Sequence, residues 1–193
     1  MPDPMSPHAA ARISAEQAEV QLLGTEYLHR GNPRQRRAAA LLEELGVGDL
    51  PGVREWALGG TIPLGVDLPE SDLDVLVCTS EVAAAREELT EQFGQLSQFA
   101  AWAHSAEAGA WCVTFESQGF LIEFFLQHRA LAEQRAFRHL VAEYVLLQRH
   151  GAAFRQEIFQ LKLSGLKTEP AFAQALNLDG DPYLALLDPA LLD

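Results

Sequence analysis

The sequence predicts an α+β fold, in which a mixed β-sheet is flanked by helices and covered by a C-terminal helical region. Three observations support this class. Apolar residues recur at helical spacing before residue 46, strand-like runs follow between residues 53 and 127, and helical spacing returns after residue 130. The length of 193 residues and the hydrophobic content of 48% suit a globular unit with a sizeable core.

The chain reads as a single structural unit, because it contains no internal repeat, low-complexity tract or Ser/Gly-rich linker. Residues 1–13 are rich in Pro and Ala without periodicity, which predicts a flexible N-terminus. Residues 14–130 are predicted to form the α+β core. Residues 131–193 are predicted to form the helical region that packs on it.

Two helices are expected at the start of the core. Ser14 and Gln17 have the spacing of a capping box, and the helix that they begin is predicted to end at Gly31. The Asn32-Pro33 pair opens a second helix, and Gly46 closes it. The expected apolar positions are Val20, Leu23 and Tyr27 in the first helix and Ala38, Leu41, Leu42 and Leu45 in the second.

Extended segments are expected at residues 53–59, 72–78, 98–105, 110–116 and 119–127. Ser80 is predicted to cap a helix after the second of them, and residues 117–119 have the composition of a hairpin turn. In the C-terminal region, helices are expected at residues 131–150, 154–163 and 171–176, with Gly151 ending the first. The ligand cleft is expected between the sheet and these helices.

Charge and hydropathy exclude several function classes. The chain has 14 Lys and Arg against 27 Asp and Glu, a net charge of −13, which disfavours a polynucleotide partner because the phosphate backbone is repelled. No apolar run is long enough to span a membrane, and the first residues lack the features of a signal peptide. We therefore expect a cytoplasmic protein with no membrane partner.

A pair of acids carries the first chemical signal. Asp72 and Asp74 lie on a predicted strand, where alternate side chains point to the same face. Two adjacent carboxylates repel each other unless a cation neutralises them, and carboxylate oxygens suit Mg²⁺ or Mn²⁺. The spacing therefore predicts a divalent metal site.

A third acid and a glycine turn extend this site. Glu123 interrupts an otherwise apolar strand, so it needs a partner, and a strand beside that of Asp74 would give a cluster of carboxylates. Upstream, Gly59 and Gly60 allow close backbone approach, and together with Thr61 they offer N–H groups and a hydroxyl to phosphate oxygens.

These motifs together resemble the nucleotidyltransferase-fold superfamily, the polymerase-beta-like group that moves a nucleoside monophosphate from an NTP to an acceptor. Within it the chain is most similar to a bacterial family, domain of unknown function 4269. The resemblance covers about residues 24–188. It rests on residues 60–65, 71–74 and 167–173, and on Gln134 with Arg138 and His139. Two departures are Thr61 in place of the more usual Ser and a Pro-rich turn before Asp72.

The resemblance implies a metal-dependent nucleotidyltransferase with Mg²⁺ or Mn²⁺ as cofactor and an NTP such as ATP as substrate. The implied acceptor is an unidentified small molecule or protein side chain. The implied catalytic residues and metal ligands are Asp72, Asp74 and Glu123. The implied nucleotide-binding residues are Gly59, Gly60, Thr61, Ser71, Arg138 and Lys167.

Several alternatives stay open on the sequence. Glu116 is a rival third ligand, and Glu123 can instead pair with Arg138. Lys162 is interpreted as a surface charge rather than a phosphate ligand. The arginines at 34, 36 and 37 are interpreted as local salt-bridge partners rather than an RNA contact. A catalytically inactive nucleotide-binding or protein-interaction module is the competing functional hypothesis.

Overall fold

A computed structural model of the chain describes residues 13–192, so most of the predicted flexible N-terminus lies outside the described residues. The helices are α1 (Ala15–Gln21), α2 (Pro33–Glu44), α3 (Val82–Phe93), α4 (Arg135–Leu163), α5 (Thr168–Ala175) and α6 (Pro182–Ala185). The strands are β1 (Val53–Leu58), β2 (Leu73–Thr79), β3 (Ala100–Ala103), β4 (Trp111–Ser117) and β5 (Phe120–Gln127). No helix in this part of the chain is both long and apolar enough to cross a membrane.

The strands form one five-stranded mixed sheet in the order β1-β2-β5-β4-β3. Only β2 and β5 run parallel, at the centre of the sheet, and the other neighbours are antiparallel. The predicted hairpin turn joins β4 to β5, with Ser117 opposite Phe120 and positive φ angles at Gln118 and Gly119. The predicted α+β class, a mixed sheet flanked by helices, is confirmed.

Each face of the sheet has its own apolar core. Alternate residues of β2, such as Val75 and Val77, pack with α2 and α3, and the predicted inner face of α2 is buried in this core. Leu76 and Cys78 point to the other face and pack with α1, α4 and α5. The second face is the one that the C-terminal helices cover, so a polar residue of β2 on that face lies under those helices.

The first helix is shorter than predicted. The capping box of Ser14 and Gln17 is present, but α1 ends near Gln21, and Gly24, with φ +61°, turns the chain to form a bridge with Ala57 of β1. The predicted apolar face is also wrong. Val20 is 73% exposed, whereas Leu22 is fully buried.

One further expectation needs correction. Ser80 does not cap α3; Glu81 occupies the cap position, and its N–H donates to the Thr79 hydroxyl at 2.9 Å. The predicted break at Gly151 is confirmed, because α4 consists of two helical segments that meet at a sharp kink there, where φ is +76°. Asn32 caps α2 and a left-handed Gly46 follows it, as predicted.

Candidate functional site

A cavity of about 340 Å³ separates the second face of the sheet from the C-terminal helices. The Gly59-Gly60-Thr61 turn and the side chains of β2, β4 and β5 form one wall. Residues of α4 and α5 form the other. Its position agrees with the cleft expected between sheet and helical region. The lining residues used below are Gly60, Thr61, Asp74, Glu123, His139, Glu143 and Glu169.

The structure brings Asp74 and Glu123 together on adjacent strands. They are directly paired in the parallel register of β2 and β5, and both side chains line the cavity. Asp72 lies one residue before β2 and is electrostatically coupled to both. Within the described residues, the carboxylates of Asp74 and Glu123 form no hydrogen bond or ion pair with a side chain. Half-buried carboxylates without protein partners suit a divalent cation.

Burial and then repulsion between the carboxylates raise the pKa values in this cluster. Burial, followed by the charges of Asp72 and Glu123, raises the pKa of Asp74 from 3.8 to about 7, and Lys162 opposes this rise. Burial and then the charge of Asp72 raise the pKa of Glu123 as well, while His104 lowers it. Without a bound cation, Asp74 therefore carries a proton for much of the time near neutral pH.

The glycine turn is fitted closely against Asp74. The Gly59 N–H donates to the Asp74 carbonyl oxygen at 2.6 Å, so this amide does not point to a ligand. The Gly60 and Thr61 amides find no acceptor among the described residues. Gly60 has φ +68°, and a Cβ there would overlap the Asp74 Oδ2 atom. Two free N–H groups beside the carboxylates can bind an anion.

Replacing Gly60 with Ala is expected to displace the Asp74 carboxylate and weaken any ligand that depends on it, and to cost about 1–3 kcal/mol of stability. Gly119→Ala is the matched control, because Gly119 has φ +79° but no atom within 4 Å of the added Cβ. Thermal melting compares the two variants. Equal destabilisation by both substitutions would contradict the close fit of Gly60 against Asp74.

The rest of the connection to β2 is held by helices. Arg34 of α2 donates to the carbonyl oxygens of Pro69 at 2.9 Å and Ser71 at 2.7 Å, and pairs with Asp67 at 3.4 Å. The Ser71 hydroxyl contacts that of Thr61 at 3.2 Å. Ser71 therefore fixes the turn rather than lining the cavity.

The other two residues of the arginine cluster also make local contacts. Arg36 donates to the Gly31 carbonyl, and Arg37 donates to the Gln118 carbonyl at 3.1 Å and stacks on Phe120. These contacts agree with a structural role. The partners are mainly backbone carbonyls rather than the salt bridges that the sequence predicted.

The two candidate third acids occupy different places. Glu116 pairs with Leu121 in the sheet register, two positions along β4 from the residue opposite Glu123. Its carboxylate accepts hydrogen bonds from Gln98 at 3.0 Å and Ser97 at 3.3 Å. Glu123 forms no ion pair with Arg138 within the described part of the chain. The geometry therefore favours Glu123 as the companion of Asp74.

A cation that the sequence interpretation placed on the surface is buried beside Thr168, one of the residues that line the cavity. Lys162 of α4 is only 8% exposed, and its ammonium donates to the Thr168 hydroxyl at 3.1 Å. Burial lowers the pKa of Lys162, while Glu143 and other acids oppose that change. Arg138 and Lys167 are instead exposed, and neither is among the cavity's lining residues.

The far wall carries acids that sequence reasoning missed. Glu143 of α4 and Glu169 of α5 line the cavity together with His139, which the sequence analysis named only among the residues that carry the resemblance. Burial and then Glu169 raise the pKa of Glu143 well above its usual value, and Lys162 opposes this. Burial lowers the pKa of His139. The signal in the sequence was a glutamate on the apolar face of α4.

Several solved structures are similar to this chain. A cytoplasmic RNA terminal U-transferase is 15% identical (TM-score 0.48; 77% of this chain, 42% of that chain). The Cid1 poly(U) polymerase bound to MgATP is 13% identical (TM-score 0.49; 77% and 45%). GLD-2 in complex with RNP-8 is 9% identical (TM-score 0.48; 84% and 61%). This chain therefore spans less than two thirds of each.

Comparison with protein families gives a match over most of the chain. No protein of curated function matches the sequence significantly. The pattern of the family described as Domain of unknown function (DUF4269) matches residues 42–188. This match contains the glycine turn, the paired acids of β2 and β5, and the helices of the far wall. Because it covers most of the sequence, the chain belongs to the DUF4269 family.

Proposed function

We propose that the protein is a metal-dependent nucleotidyltransferase that moves a nucleoside monophosphate from an NTP to a hydroxyl-bearing acceptor. The observation that carries the proposal is the direct pairing of Asp74 with Glu123 beside two unbonded amides of the glycine turn. Carboxylates that hold cations and N–H groups that hold phosphates are the parts that phosphoryl transfer requires.

Each group of residues has a proposed role in the transfer reaction. Asp72, Asp74 and Glu123 would hold Mg²⁺ or Mn²⁺, which supplies positive charge to the triphosphate when bound. The Gly60 and Thr61 amides would bind phosphate oxygens. Glu123 would accept the proton of the acceptor hydroxyl, because its carboxylate lines the cavity and has no hydrogen-bond partner among the described side chains. Nucleotide contacts by Ser71, Arg138 and Lys167 remain predictions, and Lys162, whose charge acts on Asp74, would contribute to charge compensation.

We propose a small molecule or a protein side chain as acceptor rather than a polynucleotide. The net charge of −13 opposes the approach of a phosphate backbone. The wall opposite the metal ligands contributes further acids, Glu143 and Glu169. Such a cavity suits a neutral or cationic acceptor.

A thermal-shift screen tests nucleotide binding. Wild-type protein is expected to melt at a higher temperature with an NTP plus Mg²⁺ or Mn²⁺ than with either alone, because only the folded state binds. The Asp72→Asn/Asp74→Asn double variant should melt at the same temperature with and without these ligands. Gly119→Ala, on the hairpin turn, serves as a control that should keep the response. An equal response in wild type and double variant would contradict the site.

Pyrophosphate release separates transfer from binding. An active transferase should release pyrophosphate from the NTP that gives the largest shift when a suitable acceptor is supplied, and the adenylyl or other nucleotidyl group should appear on that acceptor by mass spectrometry. A metal-dependent rise in melting temperature with no release of pyrophosphate, whichever acceptor is supplied, would favour the alternative. In that case the protein is an inactive nucleotide-binding module of the same fold.

A further inference from the structure

The acids of the far wall form a compact group with a histidine. His139 and Glu143 lie one helical turn apart on α4, and Glu169 lies in the first turn of α5. One ligand atom from each of the three residues lies within 4.8 Å of the others. All three line the cavity, on the wall opposite Asp74 and Glu123.

Two of these side chains are buried and have polar atoms without a hydrogen-bond partner. His139 is 5% exposed and Glu143 is 4% exposed. In the described structure, neither ring nitrogen of His139 forms a hydrogen bond, and the Oε1 atom of Glu143 forms none either. Leaving such groups unpaired costs about 1–3 kcal/mol each, so a ligand that satisfies them is strongly favoured.

The nearby lysine does not satisfy them. Lys162 donates to the Thr168 hydroxyl, and among residues 13–192 it forms no ion pair within 4.0 Å of Glu143 or Glu169. Its charge lowers the repulsion between the two carboxylates without binding either. The group therefore keeps free acceptor atoms that face the cavity.

We propose that His139, Glu143 and Glu169 form a second metal site, which binds a divalent transition-metal ion such as Zn²⁺ or Co²⁺. One imidazole nitrogen with two carboxylates favours these ions, whereas Mg²⁺ prefers oxygen ligands alone. Ligand atoms around a tetrahedral Zn²⁺ lie about 3.4 Å apart, so rotation of the two glutamates closes the observed spacing. The cavity side stays open for a fourth ligand. This site does not depend on nucleotide transfer.

Titration with Co²⁺ alone tests the proposal on the full chain. We expect one equivalent of Co²⁺ to produce the intense visible absorption of a four- or five-coordinate ion, and Zn²⁺ to displace it. Glu169→Gln is the lead variant, because Glu169 is only half-buried and the substitution keeps the shape of the side chain. It should weaken Co²⁺ binding at least about 10-fold. Circular dichroism confirms that the variant is folded.

The Asp74→Asn/Glu123→Gln variant is the matched control and should keep the Co²⁺ absorption unchanged. Loss of the absorption in this control would assign the ion to the other acids and overturn the proposal. Absence of the absorption in wild-type protein, or an unchanged affinity in Glu169→Gln, would overturn it as well. Failure of nucleotide binding in the thermal-shift screen would leave this site standing, so the two proposals fail separately.

Discussion

Asp74→Asn is expected to reduce metal-dependent pyrophosphate release at least about 100-fold while leaving the protein folded. The substitution keeps the size of the side chain but removes one charge from the pair that β2 and β5 place side by side. The measurement is the initial rate of pyrophosphate release at saturating NTP and Mg²⁺.

Glu116→Gln is the matched control for this result. Glu116 lies on the same sheet but is bonded to Ser97 and Gln98, so its loss should leave the rate within about twofold of wild type. A large loss of rate in Glu116→Gln together with an active Asp74→Asn variant would show that the metal ligands had been assigned to the wrong acids.

Asp74→Asn is also expected to stabilise the metal-free protein at high pH. The pKa of Asp74 is about 7 in the folded state, above the ordinary value of 3.8. Below pH 3.8 the group is protonated in both states and has no effect. Between these values the unfolded state loses the proton first, so folding becomes less favourable as pH rises. Above pH 7 the penalty is complete, up to about 4 kcal/mol.

Urea unfolding of wild type and Asp74→Asn from pH 4 to pH 8 measures this effect. The difference in free energy of unfolding should be near zero at pH 4 and should grow in favour of the variant towards pH 8. Mg²⁺ should remove part of the penalty from wild type only, because a cation takes the place of the proton. A difference that stays constant with pH would contradict a raised pKa of Asp74 in the folded state.

Much of the sheet-side wall was predictable because it depends on local patterns. Alternation along β2 places Asp74 on one face, and a lone Glu123 within an apolar strand indicates a second polar position. Local rules also located the α2 caps and the β4–β5 turn. The predicted length of α1 was wrong because Gly24 forms a long-range bridge to β1, which no local pattern encodes.

The helical wall was not predictable for a similar reason. Glu169 meets His139 and Glu143 only because the turn after α4 folds α5 back onto it. Lys162 was assigned to the surface because lysine is rarely buried, yet it lies on the packed face of α4 one turn after the buried Ile158. Charged residues on the apolar face of a helix, such as Glu143 and Lys162 of α4, are the sequence signal that indicates this wall.

The most direct test of the proposed site is a crystal structure with Mn²⁺ and a non-hydrolysable NTP analogue, read by the anomalous scattering of manganese. We predict an Mn²⁺ peak bound by the carboxylates of Asp74 and Glu123, with phosphate oxygens of the analogue against the Gly60 and Thr61 amides. An analogue bound elsewhere, or no Mn²⁺ at these carboxylates in crystals that contain the analogue, would contradict the proposal that this cavity transfers nucleotides.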